Sequence, residues 1–182
     1  MARTYGEILE GSFAKLFELC DEETLFVDVG SGRGLITAAS VQQGGCYRAV
    51  GVEKYSDKLE ESQELLATLP EDIQAKIEFI LGDFNDHDLT EMLQSYACTS
   101  IMMFCNNLAF QQGTNNRMSK NFRRAMDALP SVKFTVISTT PLVALEDRLH
   151  STIPLDMTWA PAHMSQVYVW HGIRDAKAGV AA

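Results

Sequence analysis

Phe26-Val27-Asp28-Val29-Gly30-Ser31-Gly32-Arg33-Gly34 is the stretch on which the reading of this chain turns. An apolar, β-branched run ends at Val29, which is the composition of a buried strand. Glycines then stand at alternate positions, Gly30, Gly32 and Gly34. They let the backbone turn tightly and let a ligand approach the main chain. The segment after them, Gly34–Gln42, has helical patterning and stops at Gly44-Gly45. A helix that starts at such a turn offers unpaired N–H donors to whatever sits above it. A plain strand-to-helix turn would carry the same glycines, so the stretches that follow decide between the two readings.

Working outward, strand-like runs recur at Leu25–Val29, Tyr47–Val52, Ile77–Leu81, Ser100–Phe104, Phe134–Ser138 and Ser165–His171. Helical patterning fills the gaps at Ser56–Leu69, ended by Pro70, at Leu89–Tyr96, and at Asn115–Leu129, ended by Pro130. Strand and helix alternate, which predicts an α/β fold: a mostly parallel sheet with helices on both faces and right-handed crossovers. No long helix precedes the last strand, so it is expected to pair antiparallel at the sheet edge. The 182 residues suit one domain with one sizeable core. There is no repeat, low-complexity run or linker, and a single domain over 1–182 is expected.

Open α/β sheets bind ligands at the carboxyl ends of their strands. Glu53 ends the second strand, 19 residues after Gly34. A carboxylate there can accept both ribose hydroxyls of an adenosine. Asp83 ends the third strand and can accept from the adenine amine, with Phe84 covering the ring. Asp28 lies two residues before Gly30 and suits a cationic amino group. The third glycine comes two residues after the second, not three as in dinucleotide sites. No Walker-type lysine is present for a phosphate. These features select S-adenosylmethionine as the cofactor and a Rossmann-like class I methyltransferase as the fold. The fourth strand ends in Phe104-Cys105-Asn106-Asn107-Leu108-Ala109-Phe110. An Asn carbonyl there can take a hydrogen bond from an acceptor amine, and an aromatic can wall the channel. The same Asn pair would also serve as a turn. Cys105 reads as a buried structural thiol.

Composition narrows the partners. The net charge of −9 argues against strong direct nucleic-acid binding. Residues 51–94 hold twelve acids against three bases. Residues 115–133 reverse the sign, with Arg117, Lys120, Arg123, Arg124 and Lys133 against Asp127. That basic segment is either a solvated helix face or a docking patch for an acidic partner. Apolar runs are too short to span a membrane. The four cysteines have neither disulfide nor metal spacing, so a reduced, intracellular setting is expected. His87, His150, His163 and His171 show no ligand spacing, and no metal is expected.

Several stretches together resemble the disruptor-of-telomeric-silencing histone-lysine methyltransferases, a class outside the SET enzymes. They are Tyr5-Gly6-Glu7, Val27-Asp28-Val29-Gly30-Ser31-Gly32, Gly51-Val52-Glu53-Lys54, Gly82-Asp83-Phe84 and Asn106-Asn107-Leu108-Ala109-Phe110. Val136-Ile137-Ser138-Thr139-Thr140-Pro141 and the Trp159–Ser165 spacing match less closely. The resemblance implies a lid loop and N-terminal helix over 1–20 and a Rossmann-like core over 25–175. Tyr5 and Glu7 would cover the methionine half of the cofactor. Asp28, Gly30, Ser31 and Gly32 would hold that half, Glu53 and Lys54 the ribose side, and Asp83 with Phe84 the adenine. Asn106 would orient the acceptor nitrogen, and Phe110 and Trp159 would line a lysine channel.

In three respects the sequence departs from that family. It begins four residues before Tyr5, where the family carries a helical segment. Ala176–Ala182 has only Lys177 where well-studied members carry a basic tail. Gln166 stands where the family has an aromatic channel residue, with Tyr168 two residues on as a substitute. The function implied is direct methyl transfer to a neutral lysine amine of a protein, with a histone among the candidates and the nucleus as the place. The alternatives are a non-histone protein or small amine as acceptor, with a cytoplasmic place, or a silent cofactor-binding domain.

Overall fold

A computed structural model describes residues 8–158 and 164–172. Seven strands form one sheet: β1 (Thr24–Val29), β2 (Arg48–Glu53), β3 (Ile77–Leu81), β4 (Ser100–Cys105), β5 (Lys133–Ser138), β6 (Leu149–Pro154) and β7 (Gln166–His171). Their order across the sheet is β3-β2-β1-β4-β5-β7-β6. The first five are parallel, and β7 runs antiparallel to both β5 and β6. β1 and β4 are buried along their whole length, as central strands covered on both faces must be.

Two packed layers cover the sheet. One face carries α5 (Leu89–Gln94) and α6 (Gln112–Ala128), whose Leu93, Met118 and Phe122 meet Val27, Met103 and Trp170. The other carries α1 (Phe13–Phe17), α2 (Leu35–Gln42) and α3 (Ser56–Ala67), which pack on Phe26, Met102, Phe104 and Val169. Strand alternation divides the residues: Met102 and Phe104 face one layer, Met103 and Cys105 the other. A one-turn α4 (Glu71–Gln74) follows Pro70. No helix among the described residues is long and apolar enough to cross a membrane.

The predicted α/β class holds, with one relocation. The last strand is antiparallel as expected, but it lies one place in from the edge. The edge is β6, exposed at almost every position, whose Leu-His-Ser-Thr-Ile-Pro sequence has no apolar alternation to reveal it. Helix α6 begins three residues earlier than its patterning suggested, at Gln112. Within the basic segment, Arg123 is bound to Asp127 at 3.0 Å and Asp147 at 2.7 Å, so it serves the fold. Arg117, Lys120 and Arg124 are exposed.

The N-terminal segment is fastened to the far end of the chain. Ile8 forms a bridge with Met157, and the Leu9 N–H donates to the Asp156 carbonyl at 2.9 Å. The Ser12 hydroxyl accepts from the Asp156 N–H at 2.8 Å. This clip brings Ile8 and Phe13 over the carboxyl ends of the central strands.

Candidate active site

The sheet order reverses between β1 and β4, and a cavity of about 60 Å³ opens there. Asp28, Gly30, Phe104 and Asn106 form its floor, and Ile8, Phe13, Leu35 and Ile36 its walls.

The glycine-rich turn is built by backbone geometry. Gly30 and Ser31 donate to the Val52 carbonyl at 2.9 and 3.2 Å, which ties the turn to the end of β2. Gly34 caps α2 at φ +78°, and a side chain there would lie 2.5 Å from the Phe79 ring. Gly32 has φ +55° and open space where a Cβ would stand. A ligand can therefore approach its main chain.

Glu53 is 4% exposed and pinned by two main-chain donors, Gly32 N–H at 2.9 Å and Tyr55 N–H at 3.0 Å. Each donor occupies one oxygen, so each oxygen keeps a lone pair for a further donor. Asp28 is buried and accepts the Thr37 hydroxyl at 2.7 Å. Burial pushes its carboxyl up to about 7; the Thr37 bond opposes this and the nearby Glu53 charge adds to it. No cation is paired with it among the described residues, and an ammonium group in the cavity would supply one. The Ser31 hydroxyl is buried without a hydrogen-bond partner among the described residues. An orphaned donor, an open glycine and a carboxyl short of its cation fit an amino-acid-bearing nucleoside cofactor.

At the third strand end, Asp83 accepts the Asn85 N–H at 2.9 Å and caps a short turn. That turn drives Phe84 inward: its ring is 5% exposed and edge-on to Phe122, 5.5 Å between centroids. The expectation that Phe84 covers an adenine is corrected, because its face is committed to the core. Lys54 is exposed, with its ammonium 5.0 Å from the Tyr55 ring centre.

At the fourth strand end the two asparagines divide their labour. Asn107 is fully buried. Its side-chain oxygen accepts the Thr140 N–H at 2.9 Å and the Thr139 hydroxyl at 3.1 Å, and its amide donates to Asn115 at 3.0 Å. It is a rivet between β4, β5 and α6. Asn106 is half-buried and reaches the cavity, with its oxygen 3.2 Å from the Thr139 hydroxyl. Phe110 lies over the glycine turn, its ring edge 3.1 Å from where a Gly30 Cβ would be. Cys105 is buried, and desolvation holds its thiol well above the ordinary range.

A second cavity, about 150 Å³, is lined by Leu108, Thr139, Met157, Met164, Ser165, Gln166 and Val167. Tyr168 is not among them. It stacks on Trp170, 6.0 Å between centroids, on the α6 side of the sheet. The expectation that Tyr168 replaces the missing aromatic is therefore corrected: Gln166 itself faces the cavity. Tyr5, Glu7 and Trp159 lie outside the described residues. Thr37 and Asn115 support the site without having been singled out, and Asn107 and Thr139, quoted within motifs, prove to brace it. Polar residues at buried strand ends were the available signal.

A family model for the histone methylation protein DOT1 matches residues 1–158. The chain belongs to that family. As a member of the DOT1 family it is a methyltransferase whose cofactor is S-adenosylmethionine. No curated protein matches the sequence. Solved structures agree on the fold. A Rossmann-superfamily protein from Streptococcus agalactiae is 14% identical, with a TM-score of 0.59 over 90% of this chain and 69% of its own. A putative tRNA (m1A22) methyltransferase from Streptococcus pneumoniae is 11% identical, with a TM-score of 0.59 over 90% of this chain and 69% of its own. M. capricolum TrmK, solved with S-adenosylhomocysteine, is 12% identical, with a TM-score of 0.55 over 93% of this chain and 70% of its own. At these identities the likeness is one of architecture, and the DOT1 match carries the family.

Proposed function

We propose that this DOT1-family protein methylates a lysine amine of a protein, with a histone as the acceptor. The observation that carries the reading is Asn106. It stands at the cofactor cavity with its amide oxygen beside the Thr139 hydroxyl, and Thr139 lines the second cavity, whose lining mixes apolar and polar side chains.

S-adenosylmethionine, when bound, supplies a methyl group activated on a sulfonium. Asp28 would receive the amino group of the methionine half, Ser31 and the Gly32 main chain its neighbours, and Glu53 the ribose hydroxyls. Asp83 would take the adenine amine. Asn106 accepts an N–H of the incoming amine, which leaves the nitrogen lone pair directed away from the amide. Leu108, Met157 and Val167 line a passage suited to a lysine's methylene stem. A free lysine ionises with a pKa of about 10.4, and loss of water beside Leu108, Met157 and Val167 would disfavour its charged form. Phe110 helps exclude water above the glycine turn. Alignment and desolvation then contribute most of the rate.

The net charge of −9 favours a basic polypeptide over nucleic acid as the partner. A histone acceptor implies action on chromatin in the nucleus. The test is incubation with methyl-labelled S-adenosylmethionine and three acceptors: nucleosomes, free histones and a protein lysate. Label on a histone lysine, lost in Asn106→Ala, is expected. Label confined to non-histone proteins would reassign the acceptor. Undiminished turnover by Asn106→Ala would remove the role given to that residue.

A further inference from the structure

Asp28 is a buried acid at the floor of the cofactor cavity, and little around it can hold a charge. Its partners across the sheet are Gly51 on β2 and Phe104 on β4, neither of which has a side-chain donor. Among the described residues its titratable neighbours are Glu53, which repels its charge, and Cys105, whose thiol burial keeps protonated. Helix α2 brings no charged side chain, and Lys15 of α1 is exposed. The one side-chain hydrogen bond that Asp28 accepts among these residues comes from Thr37, the third residue of α2, at 2.7 Å.

Thr37 is fully buried. A threonine inside a helix often returns its hydroxyl to a carbonyl of the preceding turn. Here the hydroxyl crosses from α2 to β1 instead, and its single proton goes to one oxygen of Asp28. The turn that carries it is tied down, because the Ser40 hydroxyl donates to the Thr37 carbonyl at 2.7 Å. We propose that Thr37 is a positioning residue for S-adenosylmethionine binding, whose hydroxyl holds one oxygen of the Asp28 carboxylate and leaves the other to the cofactor's ammonium group. The inference rests on the cofactor role given to Asp28 above. A hydrogen bond to an ionised acid is stronger than one to a neutral acid, so the hydroxyl favours the charged form. Without it the carboxyl takes up a proton at higher pH, and a neutral acid does not attract an ammonium group. Burial already draws the titration of Asp28 up to about 7, so a further rise falls across neutral pH. A valine at this position has nearly the same shape and no proton to donate.

The experiment compares Thr37→Val with Thr37→Ser, which keeps the donor, and with Thr37→Ala, which removes it without bulk. Full-length protein without ligand carries 13C at its aspartate carboxyls. The Asp28 signal is assigned by its loss in Asp28→Asn and followed from pH 5 to 9. Its midpoint is expected to rise by at least about one pH unit in Thr37→Val and Thr37→Ala, the worth of one hydrogen bond to a charged group, and to stay near native in Thr37→Ser. The binding probe is S-adenosylhomocysteine, which carries the same amino group and donates no methyl. Thr37→Val is expected to bind it about tenfold more weakly than native protein at pH 6, with the gap closing as pH rises to 8.5. Taking the ratio at each pH cancels the ligand's own titration. An unmoved Asp28 midpoint overturns the proposal. So does a ratio that is the same at every pH, because Thr37 would then serve packing only. If Asp28→Asn binds the probe as tightly as native protein at pH 8, the role of Asp28 fails and the proposal falls with it. Weakened binding by Asp28→Asn, with an unmoved midpoint in Thr37→Val, places the failure on Thr37 alone.

Discussion

Replacing Asp28 by Asn should stabilise the unliganded protein while weakening its hold on cofactor. Burial pushes the Asp28 carboxyl from 3.8 up to about 7. Between those values the folded state binds the proton that the unfolded chain has released, so stability falls as pH rises through this window. Above about pH 7 the cost is fully present. The gap corresponds to about 4 kcal/mol, an upper figure for a site that can relax. The Asn carbonyl can still accept the Thr37 hydroxyl, so little else is lost. In a domain of this size the gain is roughly 10 °C in Tm at pH 8, vanishing toward pH 4. Thermal melts of both proteins without ligand, from pH 4 to 8.5, give the difference directly. Calorimetric titration at pH 8 should show S-adenosylmethionine binding weakened by at least about tenfold, the loss of one charge-assisted contact. In the native protein the same affinity should drop as pH falls through 7, because the ammonium group needs an ionised partner. A Tm difference that does not change with pH would refute the assignment of strain to Asp28.

The remaining outcomes concern the frame of the site. Gly34→Ala puts a methyl 2.5 Å from the Phe79 ring at φ +78°, and should cost about 2 kcal/mol or more by urea unfolding. Asn107→Ala strips partners from the Thr140 N–H and the Asn115 amide, and should cost about 2–3 kcal/mol in the same assay. Tyr168→Phe should leave KM for the acceptor unchanged, whereas Gln166→Ala should alter it, as measured on free histones. An effect of the opposite pattern would return Tyr168 to the acceptor passage.

The central sheet was legible because β1 and β4 are buried on both faces and so read as unbroken apolar runs. Glu53 and Asp28 were legible because acids at the ends of such runs are conspicuous. β6 was not, since an exposed edge strand needs no alternation of apolar side chains. The orientation of Phe84 was also hidden. A hydrophobic ring after a strand serves a ligand or the core equally well in sequence, and here the Asp83-capped turn sends it to Phe122. Asn106 and Asn107 are adjacent and chemically identical. Only the positions of Thr140 and Asn115, distant in sequence, make one a rivet and leave the other at the cavity.

The clip between Ile8 and Met157 has a mechanical consequence. Ile8 borders the smaller cavity and Met157 the larger. Asn106 and Thr139 form a second such pair, joined by their own hydrogen bond. The linings of the two chambers are thus tied by one contact of main chain and one of side chains. A displacement of Ile8 or Asn106 in the lining of one chamber is therefore passed to Met157 or Thr139 in the lining of the other.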